Sequence, residues 1–334
     1  MKAWRVHKHG AMTKSDTAEM LRSVMRWEEC DDPTPPKDGV VIDVAAAGLN
    51  FPDLLLIAGK YQANPPFPFV PGMEAAGTVV AVGPKSRHRI GQRVLTNGIW
   101  GGFATRMAAR DMYTFAVPDA MSDVDAAALH VIYQTSYMGL VYRCNLQEHE
   151  TLLVHGGSGG VGTSAIQIGK ALGARVIATA SSDEKLAVCR RAGADEVINY
   201  KETDFVQAVK DLTDGKGADV IYDPVGGDVF DKSSRCIAFS GRLLVIGFAS
   251  GRIPEIAANR ILLKNISVVG LHWGNYYEKA PELVQQTHLR VLELYKNDKI
   301  RPLICSESPM DALPEALAQI AERRSWGKLV VVNQ

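Results

Sequence analysis

The chain has 334 residues, enough for about two domains, and its 46% hydrophobic and 22% charged residues are an ordinary globular balance. Its 37 basic residues offset 37 acidic ones, so nothing in the charge favours nucleic acid or an anionic membrane as a partner. The start, MKAWRVHKHG, lacks an apolar h-region, no run approaches ~18 apolar residues, and the five cysteines form no C-x-x-C. A reduced, cytoplasmic chain is expected, with no signal peptide, membrane span or disulfide framework.

The first 122 residues are predicted to form a β-rich domain. Short apolar runs at Val40–Val44, Gly77–Val82 and Arg93–Leu95 alternate with Pro/Gly turns such as Pro35-Pro36 and Asp38-Gly39. Helical signal is scarce before Asn50–Ile57. Pro65, Pro66, Pro68 and Pro71 exclude strand and helix interiors from Tyr61–Gly72, which must be an irregular loop. From Ser122, a predicted N-cap, the texture becomes alternating helix and strand: an alanine-rich helix, then a second helix over His130–Arg143.

The segment 151–172, TLLVHGGSGGVGTSAIQIGKAL, reads as a buried strand, a glycine turn and a helix that stops at Gly173. Gly157, Gly159 and Gly162 supply G-x-G-x-x-G in the context a dinucleotide fingerprint requires. The helix start offers free N–H groups and the positive dipole end to a pyrophosphate, and Gly160 and Val161 are candidate cofactor contacts there. Further predicted strands are Ala174–Ala180, Glu196–Asn199, Ala218–Asp223, Gly241–Ile246 and Ile266–His272, with helices at Asp183–Ala192, Asp204–Leu212 and Asp228–Ala238 between them. Six strands with such helices predict a doubly wound parallel sheet that binds ligand at the strands' carboxyl ends. Helices over Pro281–Lys296 and Met310–Ala321 and a strand Lys328–Val332 end the chain.

Cofactor choice is legible at the end of the second of these strands. Enzymes using NAD place an acid about 20 residues past the glycines. Here that count lands on Ala180-Ser181-Ser182, where Ser181 and Ser182 can donate to a 2′-phosphate and Lys185 brings positive charge. NADPH is the expected cofactor.

A β domain, a nucleotide domain and a short C-terminal return, in that order, resemble the medium-chain dehydrogenase/reductase superfamily, and most of all its zinc-free quinone oxidoreductases (the zeta-crystallin-like branch). The marker segments are AAAGLNFPDLLLIAGKY (45–61), PFVPGMEAAGTVVAVG (68–83), the fingerprint, GADEVINY (193–200), YDPVGG (222–227) and GKLVV (327–331). The resemblance implies an α/β fold: a GroES-like catalytic domain over 1–122 and 274–334, and a Rossmann NADPH-binding domain over 123–273. Zinc alcohol dehydrogenases of the superfamily carry Cys or His at three places that fall on Asn50, Met73 and Val131 here, whose side chains are poor or impossible zinc ligands. Metal-free chemistry is therefore expected.

The resemblance also carries Lys185 and Tyr200 over as 2′-phosphate contacts. It places Thr135, Gly227, Ile246, Phe248, Leu271 and Trp273 along the cofactor and predicts a homodimer through Asn265–His272. Tyr61 and Asn50 fall in the family's active-site wall and are the candidate donors to a developing oxyanion. The alternatives are a packing role for Tyr61 and a loop-bonding role for Asn50. Asp53 is read as orienting its neighbours. A second tyrosine of some family members falls on Leu55. The expected function is NADPH-dependent hydride transfer to quinones or other α,β-unsaturated carbonyls. The alternatives are an enone or enoyl-thioester reductase, and a catalytically weak NADPH-binding sensor or structural protein.

Overall fold

A computed structural model describes residues 1–11 and 15–333. It opens with β1 (Lys2–Val6), a short helix α1 (Thr17–Val24) and β2 (Met25–Glu29). Then come β3 (Gly39–Gly48), α2 (Phe51–Ile57), β4 (Glu74–Val82), β5 (Arg93–Asn97), β6 (Arg106–Arg110), β7 (Thr114–Ala116) and α3 (Asp123–Tyr137). The alternating region holds β8 (Thr151–Val154), α4 (Gly160–Ala171), β9 (Arg175–Ala180), α5 (Asp183–Arg191) and β10 (Glu196–Asn199). It continues through α6 (Phe205–Leu212), β11 (Ala218–Asp223), α7 (Gly227–Ser233), β12 (Ile237–Val245), α8 (Ala258–Lys264) and β13 (Ser267–Gly270). The chain closes with α9 (Tyr276–Lys279), α10 (Pro281–Lys296), β14 (Ile304–Pro309), α11 (Leu313–Ala321) and β15 (Lys328–Val332).

Two compact units result: Met1–Val131 with Ile304–Gln334, and Ile132–Leu303. The first is a GroES-like unit built on a seven-stranded sheet, β14-β15-β3-β4-β5-β7, with β6 also on β3. Strand β3 serves three partners because its ten residues bend, with register irregularities at Val41/Ile42 and Val44/Ala46. Its Val40, Ile42 and Val44 enter one apolar core with Val94, Val331 and, from α2, Leu54, Leu56 and Ile57. The returning segment is fastened by the Trp4 indole, which donates to the Met310 carbonyl at 2.8 Å.

The second unit is a Rossmann sheet, all parallel, in the order β10-β9-β8-β11-β12-β13. Its central strands β8 and β11 are buried along their whole length, as parallel strands covered by helices on both faces must be. The order reverses between β8 and β11, which opens a crevice above the carboxyl ends there.

The structure departs from the predicted elements in identifiable places. No second helix begins at His130: one helix runs from Asp123 to Tyr137 and widens into a π-type turn over Met138–Arg143. The Ser122 cap is present, its hydroxyl accepting the Asp125 N–H at 3.0 Å. Helix α7 ends at Ser233, and residues from Ile237 already belong to β12. Residues 274–303, assigned by resemblance to the first domain, pack with the second unit. Gln134 donates to the Val284 carbonyl at 3.2 Å, and Gln167 is bonded both ways to the Arg301 backbone at 2.9 Å. Among the described residues, no helix is long and apolar enough to cross a membrane.

Candidate functional site

The fingerprint glycines differ in what surrounds them. A Cβ on Gly162 would lie 2.3 Å from the Gly156 carbonyl oxygen and 2.8 Å from the Gly157 backbone, so only glycine lets the first turn of α4 sit this close to the turn. At Gly157 a Cβ would meet Ala178 and Cys189 at 2.9 Å. Gly159 is the opposite case, with nothing nearer than 3.5 Å; the protein leaves that flank open. Gly159 is the extended N-cap of α4, so the N–H groups of Gly160, Val161 and Gly162 have no partner within the helix. Backbone that is closely packed behind and open in front, with orphan donors at a helix start, fits a pyrophosphate.

Because the sheet is parallel, all six carboxyl ends share that edge. Beside the glycine turn, β9 leads into Ser181 and Ser182, and the Ser182 hydroxyl caps α5 by accepting the Lys185 N–H at 3.4 Å. β10 leads into Tyr200, which is 45% exposed and whose N–H donates to the Ala180 carbonyl, so Tyr200 is held beside the serines. Asp183 and Glu184 are exposed on the first turn of α5. On the other side of β8, the Asp223 carboxylate folds the turn after β11 by accepting the Val225 and Gly226 N–H groups at 2.8 and 3.0 Å. Burial pushes the Asp223 carboxyl up from its ordinary range. Gly226 and Gly227 take positive φ, and the Phe248 ring lies 3.0 Å from where a Gly226 Cβ would be. That ring lies against a glycine. Ile246 and Leu271 follow β12 and β13 and both approach Gly139 in the π-type turn; Thr135 lies four residues before Gly139 on α3, and Trp273 two residues beyond Leu271.

A second set of polar residues is buried in the first unit. Asn50 precedes α2 in extended conformation, and its N–H donates to the Asp53 carboxylate at 2.8 Å, which fixes the start of that helix. The Asn50 carboxamide is fully engaged. Its nitrogen donates to Glu74 at 2.9 Å and to the Gly48 carbonyl at 3.4 Å, and its oxygen accepts from Lys328 Nζ at 2.9 Å. Lys328 also donates to the Leu49 carbonyl at 3.0 Å and forms an ion pair with Glu74, both side chains being at most 2% exposed. The other Glu74 oxygen accepts the Val131 N–H at 2.9 Å. Asp53 is 0% exposed, and its Oδ1 has no hydrogen-bond partner. Burial raises its carboxyl to about 7, against the opposing pull of the Asn50 N–H and Lys328. Tyr61, half-buried against the apolar core, has its phenol shifted up by burial and by the nearby Asp53.

Of the three places where the resemblance expects zinc ligands in zinc relatives, Asn50 lies in this network with its side chain and Val131 with its backbone N–H. Asn50, Met73 and Val131 present a carboxamide, a thioether and an isopropyl group. Among the described residues, no group of three or more His, Cys, Asp or Glu side chains could hold a metal ion. Sequence reading passed over Glu74 and Lys328. The available signal was a single charge at the edge of an apolar strand in each case, since a buried charge must find a partner.

Residues 36–119 match the family described as alcohol dehydrogenase GroES-like domain, and residues 160–288 the family described as zinc-binding dehydrogenase. A quinone oxidoreductase-like protein 2 homolog of Nematostella vectensis is 41% identical over 296 residues, covering 87% of this chain and 81% of that one. The human synaptic vesicle membrane protein VAT-1 homolog is 33% identical, over 90% of this chain and 80% of its own length. The structure of Escherichia coli quinone oxidoreductase complexed with NADPH superposes with a TM-score of 0.89 at 27% identity, covering 99% of this chain and 100% of that one. The chain is thus an oxidoreductase of the medium-chain dehydrogenase/reductase superfamily. Within that superfamily it belongs to the quinone oxidoreductase-like branch.

Proposed function

We propose that this protein is an NADPH-dependent reductase that transfers hydride to quinones or related α,β-unsaturated carbonyls without a metal. The observation that carries the reading is the composition of the carboxyl edge. A glycine turn shaped for a pyrophosphate stands beside Ser181, Ser182, Lys185 and Tyr200, and no carboxylate occupies the end of β9 where an NAD enzyme holds its ribose acid. The Escherichia coli structure complexed with NADPH supports the same cofactor.

When bound, the dihydronicotinamide supplies a hydride, and the chain's part is to hold, orient and shield. Gly160, Val161 and Gly162 face the pyrophosphate with their N–H groups. Thr135, Gly227, Ile246, Phe248, Leu271 and Trp273 line the rest of the dinucleotide. On the acceptor side, Tyr61 is the hydroxyl that can donate to a developing oxyanion. Asn50 belongs to the same wall, but its amide hydrogens are spent on Glu74 and Gly48, so its contribution is to keep α2 in place. A quinone collects its proton from water once reduced, so a wall with few acids suits that acceptor. An isopropyl, a thioether and an engaged carboxamide offer no ligand set for zinc, which favours metal-free transfer over Lewis-acid alcohol chemistry.

Loss of reduced-nicotinamide absorbance against an ortho-quinone, a para-quinone, a simple enone and an enoyl-CoA tests this, with NADH as the control. Fast turnover of a quinone with NADPH supports the proposal. Preference for the enone or thioester selects a reductase of that class, which the apolar Leu55 also suits. Tight NADPH binding with no turnover selects a sensor or structural role, a reading kept open by the likeness to a VAT-1 homolog.

A further inference from the structure

Behind the glycine turn lies a chain of three hydroxyls that the nucleotide fingerprint does not include. Tyr222, in β11, is 0% exposed, and its phenol lies 2.9 Å from Ser136 Oγ on α3. Ser136 Oγ is 2.7 Å from Ser164 Oγ on α4. Ser164 reaches the Val161 and Ile132 carbonyls, each at 3.0 Å. Ser136 Oγ also lies 3.2 Å from the Val161 carbonyl. Each hydroxyl has one proton, and all three are used only when Tyr222 donates to Ser136, which passes its own proton to Ser164 or directly to Val161, while Ser164 donates to a backbone carbonyl. Run the other way, the Tyr222 proton would be left in the core with no acceptor, at a cost of about 1–3 kcal/mol.

The chain ends on Val161, in the turn of α4 whose N–H groups face outward. A C=O fixed on one side of a helix's first turn sets the tilt of the peptides on the other. Packing alone would not need a phenol at 222: phenylalanine fills the same volume with no polar atom to satisfy. A second tie repeats the design one turn earlier on α3, where Tyr133 OH meets Gln167 of α4 at 2.7 Å. We propose that Tyr222 is a positioning residue for the pyrophosphate, acting through Ser136 and Ser164 to hold the first turn of α4 in its anion-binding orientation. This rests on the nucleotide-site reading above and adds the residues that preorganise it.

The test compares two ligands that carry a pyrophosphate with one that offers only the adenosine 2′-phosphate end. Dissociation constants of NADPH, NADH and adenosine 2′-monophosphate are measured for the native protein, Tyr222→Phe and Ser136→Ala, beside their melting temperatures. The expected result is a common loss of about tenfold for both dinucleotides in each variant, with the monophosphate unchanged. Unchanged dinucleotide affinity would overturn the proposal even if the variants melt earlier, because a merely structural hydroxyl behaves that way. An equal loss for all three ligands would also overturn it. Native protein that binds none of them would remove the nucleotide site itself, a failure distinct from either.

Discussion

Lys185 stands one turn into α5, beside Ser181, Ser182 and the neighbouring Tyr200, where a 2′-phosphate would be held. Lys185→Ala is expected to weaken NADPH by about 1–3 kcal/mol relative to NADH, through loss of a charge-assisted bond. Equal weakening of both, read from KM or from binding, would remove the 2′-phosphate role. Asp53 gives a second test at this scale, through stability. Its carboxyl rises from the ordinary 3.8 to about 7 because burial disfavours the charge. A raised carboxyl stabilises the fold fully below pH ~3.8, and that contribution is lost as pH rises through about 7. Asp53→Asn keeps an oxygen for the Asn50 N–H and does not titrate. Between pH ~4 and ~7 the stability of the native protein should therefore fall relative to the variant, by roughly 4 kcal/mol in all. Denaturant titrations with a pH-independent difference would contradict this. The glycine turn is legible because its spacing lies between a predicted strand and helix, whereas Asn50 and Tyr61 are reached only through the family resemblance. Glu74 and Lys328 are not legible, since 254 residues separate them and only the fold makes them partners.

Among the elements, those legible in the sequence have an apolar side facing a core. α10 and β15 appear where periodicity places them, and so do β10 and β11. α8 escaped because none of its residues is buried, so it has no inward face to read. α1 escaped because its N-cap, Asp16, sits in the left-handed region without a capping side-chain bond. The α7–β12 boundary was displaced because Ser240, at φ 60°, breaks the pattern inside β12. The strand–turn–helix of the fingerprint supplies this scale's prediction, because two of its glycines should fail differently. Gly162→Ala drives a methyl to 2.3 Å from a backbone oxygen, so it should destabilise the fold by about 1–3 kcal/mol and weaken NADPH as well. Gly159→Ala meets nothing nearer than 3.5 Å in the protein, so melting should hold while NADPH binding falls at least about tenfold. Thermal melting and binding measured on both variants settle the pair: if Gly159→Ala binds normally, the open flank is not where the pyrophosphate sits.

At the scale of the whole molecule, the Rossmann sheet ends in a strand, β13, with no further strand paired to it among the described residues. Among the described residues β13 pairs with β12 alone, so there its outer N–H and C=O groups lack strand partners. The helix just before it, α8, turns Leu262 and Leu263 to solvent at 73% and 76% exposure. A second copy related by a two-fold axis would pair β13 with itself and cover both leucines, the self-complementary contact that closes a dimer without leaving a further edge. We therefore expect light scattering at micromolar concentration to give twice the 36.3 kDa of one chain. Leu263→Asp would place a carboxylate at the centre of that contact and shift the mass to the monomer. All six carboxyl ends that form the nucleotide edge belong to one chain, so the monomeric variant should still bind NADPH with native affinity. A native monomer would show that the bare edge is tolerated, and a variant that loses its dimer and its cofactor together would show that the edge supports the site.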